Sequence, residues 1–140
     1  MAVSLAVLTA NAMADAITTR TGSAGKIVIY GNSGGSVPAN ADAALTIPAQ
    51  HQVLATFTWP AGNIFGAAAS GVITLASTPQ TVAASATGTA TFFRIYKNDG
   101  TTVIAQGGVG TSGQQLNLNT TSITSGVNVT ITSGTITMPT

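Results

Sequence analysis

The last quarter of the chain repeats with a period of two residues. In the segment VNVTITSGTITM, which runs from Val127 to Met138, apolar side chains alternate with Asn, Thr and Ser. From Leu116 to Thr140 the chain has no charged and no aromatic residue. Successive side chains of a strand point to opposite faces, whereas a helix repeats about every 3.6 residues. The segment is therefore predicted to form strands with Val127, Val129 and Ile131 on one buried face, and Gly134 is read as a bulge or bend.

Four earlier segments have the composition of strands and are bounded by Gly, Asn or Pro: KIVIYGNSGG, HQVLATFTWP, GVITLAS and ATFFRIYKNDGTTVIAQ. In the second, alternation places Val53, Ala55, Phe57 and Trp59 on one side and Leu54 on the other. Together with the tail, these segments predict a mainly β protein. The expected architecture is a single antiparallel β-sandwich or jelly-roll-like domain of about eight strands with a short N-terminal helix.

The segment around Asp99–Gly100 predicts a hairpin. A two-residue type I′ turn there would pair Tyr96 with Val103. In that register Ala105 shares a face with Phe92, Arg94 and Tyr96, whereas Gln106 shares the opposite face with Phe93 and Ile95. Both faces are largely apolar, so both are expected to be covered, one by the core and the other by the N-terminal helix or by a partner.

The N-terminal segment divides the chain. Apolar residues at three- and four-residue steps predict a helix from about Ser4 or Thr9 to about Thr19, with Gly22 as a stop signal. Residues 1–22 are read as an arm and helix, and residues 23–140 as the β-sandwich domain. The helix either covers the sheet or docks on a neighbouring subunit. The apolar start resembles a secretory signal, but no Lys or Arg precedes it, so it is interpreted as mature sequence with a signal peptide as the alternative.

Charge is scarce throughout the chain. Its 140 residues, enough for one domain, include four Lys or Arg and three Asp. So few cations argue against nucleic-acid binding. No apolar run approaches the ~18–20 residues that span a bilayer, so no membrane span is expected. A surface of Thr, Ser, Asn and Gly has a low free-energy cost of desolvation, and little charge repulsion keeps such molecules apart. Both properties favour a subunit of an assembly.

No catalytic constellation is evident. Asp15, Asp42 and Asp99 are scattered, with Asp99 in a turn and Asp15 expected to face solvent or pair with a cation. His51 is the single histidine, no G-x-S-x-G elbow is present and there is no Cys, so neither a catalytic triad nor a metal or cofactor site is predicted. The segment GGVGTSG lacks the Lys and the helix of a phosphate loop. The aromatic residues are interpreted as core rather than as a sugar-binding surface, and the chain is expected not to be an enzyme.

Several motifs carry a family resemblance. They are DAIT from Asp15, KIVIY from Lys26, PANADAA from Pro38, ATGTATFFRIY with DGTTV, then GTSG and LNLNTTSI, followed by a Thr-rich strand. In this pattern, which covers roughly Asp15 to Thr132, the chain resembles a family of small structural proteins of tailed phages and prophages.

The resemblance implies a place in the virion, made in the host cytoplasm. The expected role is that of a capsid decoration or cement protein, which binds the outside of the head and clamps adjacent major capsid subunits as a homo-oligomer, a dimer or a trimer. The alternatives are a tail, collar or baseplate subunit and, less favoured, a glycan-binding adhesion module. Two apolar segments without an obvious place in the sandwich supply the interface candidates, which are Val3, Leu5 and Leu8 in the arm and Val37, Pro38, Leu45 and Ile47 in a loop.

Overall fold

The computed structural model describes all residues 1–140. It contains one helix and nine strands: α1 (Val7–Thr21), β1 (Lys26–Asn32), β2 (His51–Thr58), β3 (Val72–Thr74), β4 (Gln80–Ala83), β5 (Gly88–Tyr96), β6 (Val103–Gly110), β7 (Leu116–Leu118), β8 (Ser122–Ile123) and β9 (Asn128–Thr137). The protein is mainly β with one short N-terminal helix, as the sequence predicts. That helix is neither long nor apolar enough to cross a membrane.

The strands form one continuous sheet in the order β2-β1-β5-β6-β7-β9-β3, with β4 paired to β9 and β8 to β5. All pairs are antiparallel except β6 with β7. Both halves of the sheet contribute to one core of 20 buried residues, including Ile29 and Phe93 from one half and Leu116 and Ile131 from the other. The sheet therefore folds around a single core in the manner of a sandwich.

A bulge in β2 changes the faces that simple alternation predicts. Ile29 pairs with Ala55, but the next residue of β1, Tyr30, pairs with Val53, so Leu54 is the extra residue. Because a one-residue slip moves side chains to the opposite face, Val53 lies on the outer face while Leu54 and Ala55 enter the core. The prediction that Val53 and Ala55 share a face is wrong.

A second bulge lies in the β5–β6 hairpin. Tyr96 pairs with Val103 as predicted, but Ile95 pairs with Ala105, which leaves an extra residue in β6. Ala105 consequently packs against the core, and Gln106 turns to the outer face. The predicted faces of these two residues are therefore interchanged.

The hairpin turn also differs from the prediction. A type I′ turn needs positive φ at both Asp99 and Gly100, but only Gly100 has it, at 73°. Instead the Gly100 N–H donates to the Lys97 carbonyl at 3.0 Å. The Asp99 carboxylate accepts from the N–H groups of Thr101 and Thr102, at 2.8 and 2.9 Å. Side-chain capping by Asp99 therefore shapes a longer loop.

Residues 128–137 form one long strand, β9, whose bulge lies at Thr132 and not at the predicted Gly134. Gly134 stays paired with Leu116 inside that strand. A Cβ at Gly134 would overlap Leu75 and lie 3.0 Å from Leu116, so the position is occupied by Gly because two core side chains cross it. Val127 precedes the strand and is 57% exposed, so the prediction that it is buried is wrong.

Helix α1 packs against β3 and β6, two strands that are not paired with each other. It buries a stripe of small residues, Ala10, Ala14, Thr18 and Thr21. Gly22, with φ of 72°, ends it as predicted. The half-buried Asp15 carboxylate accepts from the Ala68 N–H at 2.8 Å, a contact to the residues before β3 that the sequence did not predict. The helix thus covers the sheet, and polar side chains fix its position.

Candidate interaction surfaces

The loop between β1 and β2, residues 33–50, is here called the clasp loop. It covers a small outer cluster formed by Val28, Tyr30, Phe92 and Tyr96, against which Leu45 of the loop packs. The second apolar face of the hairpin is therefore covered by this loop and not by the N-terminal helix or a partner. The expectation that the loop has no place in the sandwich is corrected, because Leu45 packs against the outer cluster.

A buried arginine ties the clasp loop to the sheet. Arg94 is only 3% exposed. Its guanidinium donates to the Ala43 carbonyl at 2.7 Å, to the Asn40 carbonyl at 3.4 Å and to Gln106 Oε1 at 2.9 Å. Gln106 Nε2 in turn donates to the Pro38 carbonyl at 2.8 Å. A buried cation is tolerated only when oxygen acceptors replace its hydration, and here loop carbonyls do so.

His51 forms a second attachment. It is 5% exposed, and its Nδ1 accepts from the Thr46 N–H at 3.2 Å. Nε2 therefore carries the ring hydrogen and donates to the Ser36 carbonyl at 3.0 Å. The ring also meets Phe92 edge to face at a centroid distance of 5.9 Å. Both ring nitrogens hold backbone, so His51 serves structure, as the sequence indicates.

Two tyrosines close the outer cluster. The Tyr30 and Tyr96 hydroxyls form a 2.7 Å hydrogen bond, and Tyr30 stacks on Phe92 at 5.0 Å. Burial, reinforced by this hydrogen bond, raises the pKa of Tyr30 above its ordinary range, while the nearby Arg94 charge acts in the opposite direction. The tyrosines of the cluster are therefore uncharged at neutral pH and hydrogen-bonded to each other beneath the clasp loop.

The interface candidates of the clasp loop separate into two groups. Leu45 and Pro38 are half-buried, and both take part in the loop's attachment to the sheet. Val37 and Ile47 are exposed, at 44% and 48%. Each directly follows a residue bonded to His51, namely Ser36 and Thr46, so the imidazole fixes the backbone beside both exposed side chains.

The candidates of the arm are more open. Val3 is 78% exposed and Leu8 82%, whereas Leu5 is half-buried. Val7 and Met13 of α1 are also exposed, at 49% and 47%. Of the four large apolar side chains of the helix, Ile17 packs against the core, whereas Val7, Leu8 and Met13 face solvent. The buried stripe consists mainly of alanine and threonine, unlike the large apolar stripe of a typical surface helix.

Two features of these surfaces are not predicted by the sequence. One is the Arg94–Gln106 attachment, for which the only signal is a charged residue inside an otherwise apolar strand. The other is a groove of about 570 Å³ between α1 and the start of the β5–β6 loop, lined by Ala12, Asp15, Ala16, Thr19, Arg20 and Lys97. No local motif marks it, because α1 and Lys97 are far apart in sequence.

The side chains needed for metal binding or for stacking on a glycan are not presented together on these surfaces. No group of three or more His, Cys, Asp or Glu side chains could hold a metal ion. All seven aromatic residues are buried, the most exposed being Tyr96 at 7%. The exposed rings on which a glycan would stack are therefore not presented. What these surfaces offer is non-covalent contact through apolar side chains and a few cations. The chain matches no protein-family model, no curated protein and no solved structure.

Proposed function

We propose that the protein is a structural protein of a phage virion that binds the outside of the head as a decoration protein and clamps adjacent major capsid subunits. The family resemblance supports this role. The structural observation that carries it is the pattern of exposure in the arm and helix α1. Ala10 and Ala14 are buried, while Val3, Val7 and Leu8 face solvent.

Such an arrangement favours association. Complete burial of a Val, Leu or Met side chain contributes about 1.5–3 kcal/mol. Val3, Leu8 and Met13 alone could therefore supply several kcal/mol to a contact. Between Met1 and Ala14 there is no charged side chain whose desolvation would offset that gain. A large apolar surface on a small protein is typical of an interaction site.

The clasp loop is the second proposed contact. Its exposed Val37 and Ile47 sit on backbone held by Arg94 and His51. Ordering a loop before binding reduces the entropy that association costs. A pre-ordered loop suits a permanent clamp between neighbouring subunits.

Copy number tests the role. Quantitative mass spectrometry of purified virions is expected to find hundreds of copies, as a head lattice requires. About six or twelve copies would instead identify a tail, collar or baseplate subunit, because tails have a low cyclic symmetry. Light scattering of the isolated protein tests the expected dimer or trimer. The glycan-binding alternative has lost the exposed aromatic residues on which it depends.

Substitutions test the surface. Leu8→Asp, alone or with Val3→Asp, is expected to abolish binding to heads that lack the protein, because it buries a charge in an apolar contact. Thr9→Asp is the matched control, since Thr9 is an exposed neighbour on the same helix. Full occupancy by the Leu8→Asp, Val3→Asp double variant would refute the arm's role.

A further inference from the structure

The outer face of α1 is apolar at its N-terminal end and lies beside cationic side chains at its C-terminal end. Leu8, Ala12, Ala16 and Thr19 follow one another at helical spacings, and all four are exposed. This stripe starts at the apolar Leu8 and leads to the groove in which Arg20 and Lys97 stand. It is opposite the buried stripe that begins at Ala10, so nothing in the chain covers it.

The cations of the chain converge at the far end of this stripe. Arg20 is exposed in the last turn of α1, Lys26 begins β1, and Lys97 follows β5. Lys26 pairs with Tyr96, directly before Lys97. With Arg94 buried under the clasp loop, these are all the cationic side chains at the surface.

The nearby carboxylates are held by hydrogen bonds. The Ala68 N–H donates to Asp15 Oδ1, and Asp15 also lines the groove, where its charge offsets one of the two cations and leaves an excess of positive charge. Asp99 accepts from Thr101 and Thr102 within its own loop. Lys26 donates to Thr58 Oγ1. Arg20 and Lys97 are thus the cations of the groove to which an external anion has access.

We infer that this face of α1 is a docking groove for an acidic segment of a partner protein. The segment would place an apolar side chain on Leu8 and a carboxylate between Arg20 and Lys97. Twelve residues of helix separate Leu8 from Arg20, so the two contacts lie about 18 Å apart. Ala12 and Ala16 form a floor of small side chains that lets a backbone approach closely.

Charge complementarity selects the occupant. A second copy of this chain has one side-chain carboxylate without a hydrogen bond, that of the exposed Asp42, because Asp15 and Asp99 are bonded as described. A segment with several carboxylates matches two cations better than this single one. A nucleic acid would find only a few cations, too few for counterion release to bind it tightly. An acidic protein segment satisfies both ends of the groove. In the context of the proposed function, on which this inference rests, the partner is a surface segment of the capsid subunit.

The test uses full-length protein and phage heads assembled without it. Arg20→Gln combined with Lys97→Gln is expected to weaken binding about tenfold at low salt and to reduce its salt dependence. Lys26→Gln, at the same end but outside the groove, is expected to stay within about twofold of wild type. Leu8→Ser should weaken binding without changing the salt dependence. Equal melting temperatures would show that the variants fold.

Each other outcome overturns the inference in its own way. If the double variant binds heads like the wild type, the groove is not the docking site, although the proposed function stands. If the double variant changes the oligomeric state in light scattering but not head binding, the occupant is a second copy. If the wild-type protein binds no head, both the inference and the proposed function fail.

Discussion

Replacing Arg94 by Met tests whether one buried cation holds the clasp loop. Methionine keeps the apolar stem of arginine and removes the guanidinium. The substitution deletes hydrogen bonds to the Ala43 carbonyl and to Gln106, at 2.7 and 2.9 Å, and a longer one to the Asn40 carbonyl. The loop then keeps its hydrogen bonds to His51 and Gln106 and the packing of Leu45 on the outer cluster.

The expected loss of stability can be worked from these bonds. A hydrogen bond to a charged group contributes about 1.5–3 kcal/mol net. Two short bonds would give about 3–6 kcal/mol. Removing the buried charge also removes its desolvation cost, and water can reach the freed carbonyls at the surface, so the loss is expected at about 2–4 kcal/mol.

Urea unfolding monitored by tryptophan fluorescence measures this loss, and hydrogen exchange locates it. Protection should fall at the Ser33 and Gly35 N–H groups, which donate to Gln50, while the amides of β9 change only with global stability. Arg20→Met is the matched control at an exposed arginine and should cost less than about 0.5 kcal/mol. If Arg94→Met matches that control and leaves the loop protected, the reasoning is refuted.

Three further predictions concern single positions. Gly134→Ala should cost about 1–3 kcal/mol in urea unfolding because its Cβ overlaps Leu75, whereas Gly66→Ala, with no atom closer than 3.9 Å, should be near neutral; equal costs would contradict this packing. Thr18→Val should raise the free energy of unfolding by about 1 kcal/mol, seen as a higher melting temperature, since the Thr18 hydroxyl is buried without a partner; a lower one would count against it. Hydrogen bonds, first from the Thr102 side chain and then from backbone N–H groups, lower the pKa of Asp99 from 3.8 to about 2. Its contribution to stability is present above the ordinary pKa and is lost as the pH falls through about 2, so an NMR titration of Asp99 with an ordinary midpoint would refute it.

The local elements were predictable because their signals are local. KIVIY is a compact run of β-forming residues, alternation in HQVLATFTW and VNVTITS indicates strands, and Gly22 indicates the end of α1. The bulges at Leu54 and in β6 were not, because alternation assumes an unbroken register, and a bulge is decided by what the two paired strands pack against. The faces of Val53 and Gln106 were therefore misassigned.

For the candidate surfaces, too, the sequence predicts the chemical character of a residue but not whether it is buried. The apolar character of Val3 and Leu8 could be read from the sequence, but only the fold decides that Leu8 stays in solvent while Leu45 is packed. The same holds for Arg94, whose partners are carbonyls of residues about fifty positions away. Backbone carbonyls have no sequence signature, so such an attachment leaves no pattern to find.

By itself, then, the sequence determined that this chain is a charge-poor β protein with one short helix. Periodicity and composition reflect interactions between residues close in sequence. They are therefore sufficient to predict the secondary structure and the low charge of the chain. Tertiary structure alone decided that the clasp loop covers the outer sheet face and that α1 leaves Val7, Leu8 and Met13 in solvent. It also decided that Arg20 and Lys97 share a groove. Those outcomes depend on which surfaces from distant parts of the chain pack against each other, and that packing is determined by the whole fold.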